Sequence, residues 1–189
     1  SEHPPGARPP AEVRLFGAFE MAVNGRPLDL AALKPRPRAV LRFLALHAGR
    51  PVHREVLQET FWPEADAATG ARSLHVALSA LRRELDPGGG RGTCELLVRD
   101  GDAYRLALPD GSRVDLADFD AAVARSRRAR VDGDGPGLLR ACRVVLETYG
   151  GELLPEDGPA DWVAARRDRI MAALERVRRP VHGVGAQAG

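Results

Sequence analysis

Residues 72–85 read RSLHVALSALRREL. Leu74, Leu78, Leu81 and Leu85 stand four, three and four residues apart, so at about 100° per residue they form one narrow apolar stripe. That stripe predicts a helix from about Thr69 to Leu85 with one face in a core. Arg72, Val76, Ser79 and Arg83 repeat the same spacing on the opposite side, flanked by His75 and Arg82. Such a helix is either an ordinary amphipathic surface helix with solvated arginines or one that offers its outer face to a partner.

The flanking segments separate these readings. Upstream, Val13, Leu15, Phe19, Met21 and Val23 share one parity, and Asn24-Gly25 favours a type I′ hairpin. Pro37, Val40, Leu41, Leu44, Ala45 and Ala48 then recur at helical spacing, with Pro37 in the first turn and Gly49 as a stop. A second helix is expected over His53 to Phe61, placing Val52, Val56, Leu57 and Phe61 on one side and ended by Pro63. Downstream, Pro87 and the three glycines after it close the long helix, and Cys94 to Leu108 read as a hairpin turning at Asp100-Gly101. After Pro109 no strand is expected. Three amphipathic helices follow, Leu116 to Arg130, Leu138 to Tyr149 and Asp161 to Val177, separated by VDGDGPG and GGELLPEDGP. Arg125, Arg127, Arg128 and Arg130 at the end of the first read as a solvated face.

The expected fold class is mainly α with small β-sheets. A flexible leader occupies residues 1–11, a winged helix-turn-helix 12–109, an all-α tetratricopeptide-like domain 110–178 and a tail 179–189. The 189 residues carry a net charge of +2, and 27 of the 28 basic residues are Arg, a bias that a GC-rich coding sequence explains as readily as chemistry. Neither half is a basic block, so a nucleic-acid surface must arise by local clustering. No apolar run approaches the roughly 20 residues of a membrane helix, so no membrane association is expected. The absence of a secretion signal and the presence of only Cys94 and Cys142 lead to the expectation of a cytoplasmic protein with reduced thiols.

Enzyme chemistry finds little support, and no catalytic residue is assigned. The glycine run 88–90 follows a helix, whereas a phosphate cradle precedes one. The histidines and cysteines lack metal-ligand spacing, and Ser73 and Ser79 lack the strained elbow of a hydrolase nucleophile. No cofactor and no metal are expected.

The order sheet, helix, helix, long helix, hairpin describes a winged helix-turn-helix, whose third helix enters the major groove while the wing reaches the minor groove. Arg72, His75, Val76, Ser79, Arg82 and Arg83 then become candidate DNA contacts. Arginine donates a bidentate pair to guanine, Ser and His bond bases or phosphates, and Val meets a thymine methyl. Arg99, beside the hairpin turn, suits a narrow, electronegative minor groove. Arg105 is a candidate phosphate contact, and Tyr104 reads as a wing-root aromatic. Arg36, Arg38 and Arg54 stand near the starts of the first two helices, where cations and helix N-termini hold phosphates. The alternative is a protein-interaction module that uses the winged helix as a scaffold without reading DNA.

RSLHVALSALRREL followed by LLVRDGDAYRLAL resembles the recognition helix and wing of OmpR-type regulators, and REVLQETFWPE resembles their second helix. VRLFGAFEMAVNGRPLDL and PRPRAVLRFLALHAGRPV extend the likeness. VDLADFDAAVARSRRA with YGGELLPEDGPADWVAARRDRI is similar to the bacterial transcriptional activator domain. The two modules in this order resemble the antibiotic regulatory proteins of actinomycetes, over about residues 12–178. The resemblance implies a transcription activator that binds direct repeats of double-stranded DNA, often as a side-by-side homodimer, and recruits RNA polymerase. It carries the outward residues of the third helix to DNA, Arg99 to the wing arginine, and Glu64 and Asp66 to a loop that touches polymerase. The chain departs from the family's Gly-Tyr-Arg wing pattern, since Ala103 precedes Tyr104.

Overall fold

The computed structural model describes residues 10–88 and 94–179. Most of the expected leader, Gly89 and Gly90 of the glycine run, and the tail beyond Arg179 lie outside these residues. The chain enters on β1 (Ala11–Arg14), antiparallel to β2 (Glu20–Val23), which pairs in turn with β3 (Arg26–Pro27). Alternation sends Ala11, Val13 and Met21 into the core. Asn24 and Gly25 have φ of 51° and 77°, the two left-handed residues that a type I′ turn requires.

α1 (Pro35–Leu46) starts with prolines in its first turn, where a missing N–H costs nothing, and stops before Gly49 at φ 79°. β4 (Val52–His53) leads into α2 (Arg54–Phe61), where the His53 ring nitrogen accepts from the Glu55 N–H at 3.3 Å. Leu57 and Phe61, four residues apart, are buried as expected. Val56 is not: it is 45% exposed, because so short a helix packs one stripe, and a residue about 100° away from Leu57 falls off it.

α3 (Ala67–Leu85) begins two residues before the expected start, since the Asp66 carboxylate caps it by accepting from the Thr69 N–H at 2.8 Å. All four leucines of the stripe are buried. β5 (Leu97–Asp100) and β6 (Ala103–Leu106) form the hairpin, turning at Gly101-Asp102, one residue later than expected. β4 joins this hairpin as a third strand, in the order β4-β6-β5.

The expectation that strands end at Pro109 is corrected by β7 (Arg113–Val114), which lies parallel to β1 and completes the sheet β3-β2-β1-β7. From it spring α4 (Asp115–Val131), α5 (Gly135–Thr148) and α6 (Asp161–Arg178). Phe119, Val145, Val163 and Leu174 of these helices share one hydrophobic core with the residues of α1 and α3.

Residues 150–159, expected as a spacer, bind the helical half to the first sheet. Phe16 and Leu153 form a β-bridge, the Leu154 N–H donates to the Leu15 carbonyl at 2.9 Å, and the Gly17 N–H donates to the Glu152 carbonyl at 2.8 Å. Arg167 of α6 donates to the carbonyls of Leu153, Leu154 and Gly158. Leu154 is fully buried at φ 46°, a left-handed conformation that a leucine adopts only when its surroundings impose it. Asp157 completes the strap with two 2.7 Å bonds from the Arg42 guanidinium of α1. At the other edge, Asp115 accepts the N–H groups of Leu15 and Phe16, and its burial raises its pKa above the ordinary carboxylate value against the opposing pull of those bonds. Phe16 packs edge-on against Phe119 and Tyr149, each at 5.4 Å, and Trp162 lies 5.2 Å from Phe43.

Candidate nucleic-acid interface

α3 carries the candidate surface because its two faces have opposite chemistry. With the leucine stripe held inside, Arg72, His75, Val76 and Arg83 are exposed, while Ser79 and Arg82 are half-buried along the same flank. Val76 is 66% exposed, the most exposed large apolar side chain on this helix. From Arg72 to Arg83 the helix rises about 16 Å, enough to lie along a major groove about 12 Å wide. Among the described residues, the Arg72 guanidinium donates to the Thr69 hydroxyl at 3.4 Å. Among the described residues, no carboxylate lies within ion-pair distance of Arg72, Arg82 or Arg83. Arg82 and Arg83 also sit in the last turn, where positive charge suits the helix dipole.

Both ends of α3 are fixed. At the start, the Thr69 N–H and then its hydroxyl pull the Asp66 pKa below the ordinary carboxylate value. At the far end, Glu84 accepts the Asp29 N–H at 2.8 Å, and Arg26 donates to the Glu84 carbonyl at 2.8 Å, pinning the helix to the β2–β3 hairpin. Neither Glu84 nor Arg26 was expected to matter to the site. Their pairing spans 58 residues, and nothing local in the sequence signals it.

The wing places its arginines apart. Arg99 faces Tyr104 across the hairpin and Arg105 faces Val98, so the two arginines project from opposite faces of the sheet. Arg99 is exposed, and its Nε donates to the Gly101 carbonyl at 2.9 Å, which holds the side chain at the turn. Tyr104 packs against the core, as expected of a wing-root aromatic. Arg54, at the first position of α2, joins the wing tip: its N–H donates to the Asp102 carbonyl at 2.8 Å, and its guanidinium lies 3.4 Å from the Asp102 carboxylate. Arg36 is exposed and Arg38 half-buried in the first turn of α1. Glu64 is exposed in the loop before α3.

Among the described residues, no group of three or more His, Cys, Asp or Glu is placed to hold a metal ion. Among the same residues, no helix is long and apolar enough to cross a membrane.

Comparison with known proteins finds transcriptional regulators among the similar chains. Residues 29–106 match the family described as "Transcriptional regulatory protein, C terminal". The transcriptional regulatory protein MoaR1 of Mycobacterium tuberculosis is 29% identical over 143 residues, 76% of this chain and 45% of the relative. The transcriptional regulatory protein EmbR of the same organism is 29% identical over 142 residues, 75% of this chain and 36% of the relative. The regulatory protein AfsR of Streptomyces coelicolor is 30% identical over 169 residues, covering 85% of this chain but 16% of the relative. The chain therefore spans less than half the length of each of these relatives. A solved structure of M. tuberculosis EmbR, in complex with a low-affinity phosphopeptide, has the same fold with a TM-score of 0.73 and 24% identity, covering 90% of this chain and 44% of that one.

Proposed function

We propose that the chain is a member of the actinomycete antibiotic regulatory protein family of transcription regulators, to which its relatives point, and an activator whose α3 reads the major groove of double-stranded DNA. The observation that carries the reading is the outward stripe of α3. Two arginines, a histidine, a serine and an exposed valine share a helix whose opposite face is locked into the core. Guanidinium, imidazole and hydroxyl donors beside a methyl-bearing side chain are the mix that the base edges of the major groove accept. Arg72, His75, Val76, Ser79 and Arg83 contact base edges in this reading, and Arg82, half-buried beside the stripe, binds phosphate or braces the helix.

Arg99, held at the wing turn, enters the adjoining minor groove. Arg36, Arg38 and Arg54 take phosphates and set register without reading sequence. Arg105, on the wing face opposite Arg99, reaches phosphate only if that face also meets the backbone. Two protomers side by side on direct repeats would present the loop before α3 to RNA polymerase. Glu64 suits that contact better than Asp66, whose carboxylate is already engaged in capping α3.

Gel-shift titration of a duplex selected from random DNA by the parent chain, against a scrambled duplex, tests the assignment with Ser79→Ala and Arg83→Ala. Either substitution is expected to narrow the gap between the two duplexes by about 1–3 kcal/mol. Unchanged discrimination in both variants would refute the assignment of α3 as the reading helix.

A further inference from the structure

The joint between the two halves forms an open cleft of about 660 Å³, none of whose lining residues belongs to α3. Its walls are the end of α1 with the loop 47–50, Leu108 beyond β6, the first turn of α4 and one side of α6. Leu108 and Gly49 lie at the root of the wing, where the Gly49 N–H donates to the Leu106 carbonyl at 2.8 Å. The turn proposed to meet DNA is at the opposite end of β6. The volume falls in the range of small-molecule sites, and such sites favour junctions between domains.

The chemistry of the walls is divided. Leu15, Leu46 and Leu116 give an apolar floor, and the exposed Ala165 and half-buried Trp162 add an apolar side with one flat aromatic ring. The rim carries Arg50, Arg166, Arg169 and His47, and Asp120 is the one carboxylate residue in the lining. Arg166 already binds Asp120. Among the described residues, neither Arg50 nor Arg169 meets a carboxylate at ion-pair distance.

His47 adds a donor to this rim. The Arg50 guanidinium lies 3.1 Å from its Nδ1, so Nδ1 accepts and the neutral ring carries its proton on Nε2. Burial, and then the nearby Arg50 charge, hold the ring below the ordinary histidine pKa and favour its neutral form. Among the described residues, the mouth thus offers two guanidinium groups without an ion-pair partner, Arg50 and Arg169, above an apolar floor. Asp120, Arg166 and Arg169 also border a second cleft between α4 and α6, where Arg127 and Arg176 extend the positive field toward the mouth.

We propose that this cleft binds a small organic anion with a flat apolar body. The body lies on Trp162 and the apolar floor, and its carboxylate, sulfonate or phosphate is taken by Arg50 and Arg169. The walls come from both halves, so such a ligand bridges them. Its binding requires no DNA and stands or falls independently of the reading of α3.

The test compares two dyes differing by one sulfonate, 1-anilinonaphthalene-8-sulfonate and the neutral N-phenyl-1-naphthylamine, titrated by fluorescence into the whole 189-residue chain. The expected result is saturable one-to-one binding of the sulfonate, with the neutral dye bound about ten-fold or more weaker, since a charge-assisted contact is worth at least that factor. Arg50→Ala with Arg169→Ala changes two exposed side chains, and circular dichroism verifies the fold. The double variant should lose about ten-fold or more in sulfonate affinity and leave the neutral dye unmoved. Equal binding of the two dyes, failure to saturate, or unchanged sulfonate affinity in the double variant overturns the proposal. So does tighter binding of a poly-glutamate peptide than of the sulfonate, which would assign the cleft to an acidic protein segment.

Discussion

Replacing Asp157 by Ala removes the partner of a guanidinium that cannot return to water without breaking the joint. The Arg42 side chain is 12% exposed and that of Asp157 6%, and two 2.7 Å bonds join them in a fork. Breaking such a pair from one side costs about 3–5 kcal/mol, most of it the penalty of an uncompensated buried charge. For a chain of this size each kcal/mol lowers Tm by about 2–4 °C, so Asp157→Ala should melt about 6–20 °C below the parent. Replacing both partners together, Arg42→Met with Asp157→Leu, removes the orphaned charge and should recover most of the loss, because apolar substitutes for buried pairs are often neutral or better. Urea denaturation followed by Trp fluorescence and by far-ultraviolet circular dichroism measures both variants. Trp62 and Trp162 both flank Phe61 at the joint, while circular dichroism follows the helices of both halves, so coincident transitions are expected from the shared core. A loss below about 1 kcal/mol, the worth of a solvent-exposed pair, refutes the reasoning. Two separate transitions in the parent would do the same.

Asp115→Ala leaves the N–H groups of Leu15 and Phe16 without their acceptor and should cost about 2 kcal/mol or more at neutral pH. Because the folded pKa of Asp115 is raised, chiefly by burial, the fold binds its proton more tightly than the unfolded chain does. Its titration-linked stabilisation is complete below about pH 4 and is lost as pH rises through the folded value. The parent's advantage over the variant should therefore widen as pH falls through that window, which urea titrations at several pH values would measure. Glu84→Ala frees the end of α3 from Asp29 and should lower stability by about 1 kcal/mol, while weakening binding to the selected duplex more than to a scrambled one in a gel shift. Arg36→Ala should weaken binding to every duplex alike and reduce the slope of log affinity against log salt by about one. Arg83→Ala should instead alter preference among sequences.

The course of the chain was most legible where short-range periodicity carries the signal. The leucines of α3 and the Asn24-Gly25 turn each satisfy a local rule, and the structure places them as those rules require. What escaped was non-local. β7 has two residues and pairs with a strand about 100 positions earlier, too short to show alternation. The segment GGELLPEDGP reads as a spacer because Gly and Pro dominate it, yet Leu153 and Leu154 inside it are buried; two adjacent leucines between turn residues were the available hint. Arg42 interrupts an otherwise apolar helix face, and only the fold shows that its partner is Asp157. At the candidate interface, the sequence reading supplied the outward residues of α3. The pins at Glu84 and Arg26 became visible only with the tertiary contacts that make them, whereas the Asp66 cap is a local contact to a residue three positions on.

A selection from random duplex DNA at near-physiological salt, with the winner titrated against scrambled duplex, addresses the central claim most directly. The account predicts an enriched direct repeat whose half-sites lie about one helical turn apart, near 10 base pairs, and loss of that enrichment when Ser79 and Arg83 are both replaced by Ala. Recovery of no motif, with only weak and salt-sensitive binding to every duplex, would contradict it and assign the outward face of α3 to a protein partner.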